Sequence, residues 1–308
     1  MARLRLAQGQ PLAAYEFANE GARLARAHRL PLAETGALGS LGAAGVALVQ
    51  RQLRPPVDGP RPERAFEQAA ELALAQGDSH AHVLLQANLL GARLQRAANE
   101  PAAPPRAQLL RELKTLLAQC LAKAHDEGAV EAERMALGHL GVVSLLGGDL
   151  LPAIEFLRAA LSLVAEAGDE YAGRDDHLAN LGVAHVALGA SARAAELFEQ
   201  AAASAQLLGL SAWSRASHAG RQGAALATAG EHEGACTALL EAVELLGGSA
   251  RDEAAAALGM AGEARAAGRS ADAAHLLEEA FNLLRKPPSA PPLLAAAAPI
   301  ADAPTTDK

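Results

Sequence analysis

The chain has 308 residues, 51% of them hydrophobic, 20% charged and only 3% aromatic. This is the mix of a folded chain rather than a disordered one, and the scarcity of aromatics argues against base-stacking or sugar-stacking platforms. The net charge of −8 argues against DNA binding by counterion release.

The acidity is uneven. Residues 1–64 carry nine arginines and five acids, against 18 bases and 30 acids in residues 65–308, which is +4 against −12. A mildly basic end on an acidic body can orient a docking partner, although scattered charges of this kind usually mark a solvated helix face. No uninterrupted apolar run reaches the roughly 18 residues that span a bilayer. Residues 1–17 lack the apolar centre of a secretory leader. Two cysteines, Cys120 and Cys236, make no disulfide framework and point to the reducing cytoplasm.

Along the chain, strand signals are nearly absent, and Ala, Leu, Glu, Arg and Gln dominate, all good helix formers. After Gly9, residues 12–29 read as one helix. The segment FEQAA occurs at 66–70 and again at 198–202, and QANLLG at 86–91 echoes LANLG at 178–182. Two Pro-rich stretches, 54–62 and 99–105, interrupt helices and read as inserted loops. LLAQCLAKAHDEG at 116–128 echoes FLRAALSLVAEAG at 156–168, which puts Cys120 where Ala160 sits. From there the breaks recur. Gly128, Gly168, Gly209 and Gly247 alternate with Gly148, Gly189, Gly230 and Gly268, each series spaced 38 to 41 residues apart. A fixed period of this size, with two helices per unit, marks a solenoid.

These units resemble tetratricopeptide repeats. The family's small and large packing places are filled by Leu137, Leu140, Gly141, Ser144, Gly148, Ala153, Leu157 and Ala160. The next unit fills them with Leu178, Leu181, Gly182, His185, Gly189, Ala194, Phe198 and Ala201, and a third with Ala219, Gln222, Gly223, Leu226, Gly230, Ala235, Leu239 and Ala242. A weaker fourth ends with Gly268, Ala273, Leu277 and Ala280. Ala153, Leu157 and Ala160 fall at i, i+4 and i+7, one stripe of a helix. The units run to about 40 residues, like the long variety of kinesin light chain and bacterial regulators.

The expected fold is an all-α, right-handed α-solenoid of antiparallel helix pairs. It would hold about six units plus a partial one, with some twelve to thirteen helices. Residues 1–30 would form a partial repeat holding only its second helix, as if the chain were a piece of a longer array. Residues 31–128 would form two degenerate units with the inserted loops, 129–286 four more regular units, and 287–308 a disordered Pro/Ala-rich tail.

Chemistry is hard to find in this sequence. There is no Gly-rich phosphate loop following a strand. His80-x-His82 and Asp175-Asp176-His177 offer metal-ligand types, but their spacing matches no single helix face. Cys120 falls on a packing position and reads as a buried thiol. Asp149, Asp169, Ser191 and Ser270 stand where helix N-caps are wanted. No catalysis, no metal and no cofactor are expected.

What the resemblance implies is a binding wall made of first helices. Carried over place by place, its sixth position holds Asn88, His139, Asn180 and Arg221. Its second holds Met135 and Asp176, and its ninth and twelfth hold Val142 and Leu145, then Val183 and Val186. An Asn ladder on an apolar wall suits extended peptide, because an amide both donates and accepts. The expected function is a protein–protein interaction scaffold or adaptor, binding a peptide or partner helix with no nucleic acid and no membrane insertion. The alternative is a regulatory or sensor segment of a larger signalling protein.

Overall fold

The structure is a computed structural model that describes residues 1–51, 53, 59–99, 104–163, 173–247 and 252–285. Among them there is no strand and there are fourteen helices: α1 (Ala2–Ala7), α2 (Pro11–Ala27), α3 (Pro31–Gln50), α4 (Pro62–Ala75), α5 (Ser79–Asn99), α6 (Pro104–Asp126), α7 (Val130–Gly147), α8 (Leu150–Ser162), α9 (Arg174–Ala187), α10 (Ser191–Leu207), α11 (Ala212–Ala229), α12 (His232–Leu245), α13 (Asp252–Ala266) and α14 (Ser270–Arg285). Each helix packs on the next in the chain as far as α12, so the molecule is a stacked array of helix pairs, an α-solenoid.

The helix boundaries follow from proline and glycine. Proline opens α2, α3 and α4, where its missing N–H is no loss and its φ is already helical. The prolines at 62 and 104, read from sequence as loop residues, are the first residues of α4 and α6. Gly148 and Gly230 end α7 and α11 in the left-handed conformation, at φ 84° and 85°, which only glycine adopts without a Cβ penalty. Gly168, Asp169 and the tail 287–308 lie outside the described residues, as does most of both inserted stretches.

Close approach holds four of the pairs together. Gly42, Gly141, Gly182 and Gly223 on first helices face Phe66, Leu157, Phe198 and Leu239 on the second helices. A methyl group at Gly182 would stand 2.8 Å from the Phe198 ring, so only glycine admits it. The alanines that flank these large residues, Ala153 and Ala160, Ala194 and Ala201, Ala235 and Ala242, are fully buried. Each large side chain so enclosed contributes about 1.5–3 kcal/mol of transfer free energy.

The array departs from the expected pattern in several places. The residues before Gly9 form a short helix, α1, which packs on α2 and α3, so the first unit is not a lone second helix. Helix α3 is long and apolar enough to cross a membrane by composition, with mean hydropathy 1.4. It packs between α2 and α4, with Gly42 against Phe66 and Gly45 against Pro62, and a third of its apolar window is buried. The caps also differ. Ser191 and Ser270 lie inside their helices. Asp149 holds the N-cap position of α8 as expected, but its carboxylate pairs with Lys114 at 3.0 Å and makes no capping hydrogen bond.

The last pair is docked in the opposite order. Helix α14, not α13, packs on α12 and reaches α11. Phe281 of α14 lies over Gly220 of α11, and Cys236 of α12 donates to the Ser270 carbonyl at 3.4 Å. The predicted stripe Ala273, Leu277 and Ala280 is buried, but α14 lies between α12 and α13 and takes the place a first helix would hold.

Candidate functional site

First helices touch one another directly, α5 with α7 and α7 with α9, and glycine again sets the distance. The His139 ring of α7 lies against Gly91 of α5, and the His177 ring of α9 against Gly138 of α7; a Cβ at either glycine would collide with the ring. Gly91 therefore packs as Gly138 does, against the following first helix, and not as Gly182 does, against its own partner.

The seam between these helices is polar and enclosed. Desolvation pushes the His139 imidazole down to about 4, and its Nδ1 has no partner among the described residues. His177 is also pushed down to about 4, by desolvation first and then by Arg134 and His139, against the opposite pull of Asp175. Arg134 is itself buried and pairs with the exposed Glu131 at 3.4 Å. Between α9 and α11, buried His218 and buried Asp175 meet through Nε2 and Oδ2 at 3.1 Å. Asp176 keeps contact with solvent but stands in a crowded stretch of the wall. Desolvation, and then the adjacent Asp175 carboxylate, raise its pKa, while His218 and Arg221 oppose them.

Asp175, Asp176 and His218 bring three ligand-capable atoms within 4.8 Å of one another. The sequence points to His177 as companion of the two acids. The fold supplies His218, 43 residues on, and turns His177 toward α7. With the His218–Asp175 hydrogen bond made and the Arg221 charge nearby, the cluster is accounted for as a bridge between two helices.

The other expected wall residues fall into two groups. Val183 and Val186 on α9 are 39% and 45% exposed, with Leu188 also exposed beyond them. Val142 and Leu145 on α7 are half-buried and lean on the core. Asn180 is half-buried and makes no side-chain hydrogen bond among the described residues. Asn88 is already engaged. Its Nδ2 donates to the Leu84 carbonyl of its own helix at 2.9 Å and lies 3.9 Å from the sulfur of Met135. Asn88 and Asn180 are thus both half-buried but differ in engagement. Met135 and Arg221 are half-buried.

Two clefts lie away from this wall. One of about 490 Å³ opens between α6, α7 and α8, lined by Leu121, His125, Leu137 and Leu163 among others; one of about 540 Å³ opens between α2, α3 and α4. Both cysteines are free and buried, and burial raises both thiols above their ordinary pKa, as for inert packing residues.

No protein-family model matches the chain, and no curated protein matches it by sequence. Solved structures do match it. BtubC from P. vanneervenii superposes with a TM-score of 0.52 at 19% identity, over 80% of this chain and 94% of that one. A signal transduction ATPase with numerous domains, carrying a tetratricopeptide repeat sensor, from Pyrococcus horikoshii, superposes with a TM-score of 0.53 at 16% identity, over 92% of this chain and 41% of that one. With the in-phase glycine and alanine stripes, these matches show that the chain has the fold of the tetratricopeptide-repeat α-solenoids.

Proposed function

We propose that the chain is an interaction scaffold that holds a protein partner, as extended peptide or amphipathic helix, along its first helices, with no catalysis of its own. The observation that carries this reading is the apolar edge of α9. Val183 and Val186 stand exposed one turn apart, beside half-buried Val142 and Leu145 on α7 and rimmed by Asn180, Asp176 and Arg221. An exposed apolar row with a polar rim is the composition of an interaction surface. A partner helix would seat its i, i+3, i+4 and i+7 side chains on the valines, and the free Asn180 amide would meet its backbone. The free buried thiols suit a reducing compartment, and we place the protein in the cytoplasm.

A second reading, that the chain is the sensor segment of a larger signalling protein, is favoured by the likeness to an ATPase with a tetratricopeptide repeat sensor, of which the match covers 41%. An ATPase, kinase or DNA-binding domain adjoining this segment in its reading frame would favour it. The test of the first reading is affinity capture with the purified chain followed by mass spectrometry. An Asn180→Asp, Arg221→Glu double variant serves as control. A partner held by the parent and lost by the variant is expected; an identical set of captured proteins would contradict the wall as the binding surface.

A further inference from the structure

First helices α3, α5, α7, α9 and α11 follow one another in the array, yet the end of α3 touches the start of α11. Arg51 is the C-cap of α3 and Ser211 the N-cap of α11, 160 residues later. The Arg51 guanidinium donates to the Gly9 carbonyl at 2.7 Å and to Ser211 Oγ at 3.1 Å, and it lies 5.4 Å from the ring centre of Trp213. Gly9 presses against the same serine. It sits at φ 72°, and a methyl group there would stand 2.7 Å from Ser211 Cβ. One side chain therefore ties the α1–α2 turn, the end of α3 and the start of α11. Among the described residues, no helix pair packs extensively across this junction, so the closure rests on the side-chain cluster.

We propose that Arg51, Gly9, Ser211 and Trp213 form a latch that holds the curved array closed, with Arg51 as its pin, and that the array opens reversibly when the guanidinium lets go. The chemistry suits a contact that can be released. The half-buried guanidinium has two neutral acceptors and one aromatic face, and no carboxylate partner among the described residues. A carboxylate would hold it in a far stronger bidentate pair. The helix ends pull in opposite senses, because a cation is favoured at the C-terminus of α3 and disfavoured at the N-terminus of α11. Burial lowers the Arg51 pKa, in keeping with a charge that has given up water without gaining a counter-charge. Ser211 Oγ is already engaged by the Ser214 amide of its own helix, so it loses little when Arg51 leaves. The latch does not rest on the partner-binding reading, and no partner enters its test.

Trp213 is the only tryptophan in the chain, so its fluorescence reports this junction alone. The experiment is acrylamide quenching of Trp213 together with small-angle X-ray scattering on the full chain, the Arg51→Ala variant and the Arg51→Met variant, which keeps the apolar stem. With the guanidinium gone from the indole face, the quenching constant should rise and the radius of gyration should increase, while helical circular dichroism is unchanged. Unchanged quenching and radius in a folded variant would overturn the latch. If Arg51→Ala loses helicity, Arg51→Met decides: opening with helicity kept supports the latch, and loss of helicity there as well makes Arg51 a folding residue and overturns it.

Discussion

Small residues set the distances in this molecule. Alanines at i and i+7 of a second helix let two backbones approach, and the large side chain at i+4 fills the gap against a glycine of the first helix. Ala201 is fully enclosed, so Ala201→Leu should overpack the α9–α10 interface and destabilise by about 1–3 kcal/mol, read as a lower melting temperature; an unchanged one would contradict the packing. The buried imidazoles give the fold a pH dependence. The folded state keeps His139 and His177 neutral down to about 4, whereas the unfolded chain protonates them near 6.5. Between those values the unfolded state binds more protons, so stability falls as pH drops from about 6.5 to about 4, by on the order of 3 kcal/mol for each ring, and these rings add no slope above that window. Asp176, raised to about 6, acts in the opposite sense. Denaturation across this range should show a shallower acid decline in His177→Phe than in the parent, and equal declines would contradict a buried neutral ring. The core stripes were legible from sequence because each lies within one helix. The seam was not, because Gly138 with His177, and Asp175 with His218, join residues about 40 apart on different helices, and no local spacing announces them.

At the scale of elements, the recurring glycines mark where helices stop, and proline marks where several start. What they do not reveal is which helix of a pair docks inward. The sequence of 252–285 carries the usual stripe on its second helix, yet α14 takes the inner place against α11 and α12. The reason is visible in single residues. Phe281 fits the groove left by Gly220, whereas Gly259 and Gly262 of α13 face open space and Met260 is 50% exposed. Phe281→Ala should therefore destabilise by about 3–5 kcal/mol, while Met260→Lys should stay within about 0.5 kcal/mol. Chemical denaturation distinguishes the two, and the reverse ranking would place α13 inside. Nor do the glycines reveal which neighbour they pack against: Gly91 meets His139 of the next first helix, whereas Gly182 meets Phe198 of its own pair. A glycine that packs on its own partner and one that packs on the next first helix look alike in sequence.

At the scale of the whole molecule, a period near 40 residues makes an array in which each pair leans on its neighbours, and a single row of first helices is left as the long wall. Arg51 joins the end of α3 to the start of α11, and the wall's apolar edge is exposed on α9. The fold follows from the repeat, whereas the partner depends on a few exposed side chains that the repeat leaves free to vary. The most direct measurement is partner capture by Val183→Glu beside the parent chain, with circular dichroism and melting on both. Because Val183 is exposed, the variant should fold within about 0.5 kcal/mol of the parent and lose the partner. A variant that folds and still holds the partner would contradict the first-helix wall as the binding surface, and a variant that unfolds would make Val183 part of the core.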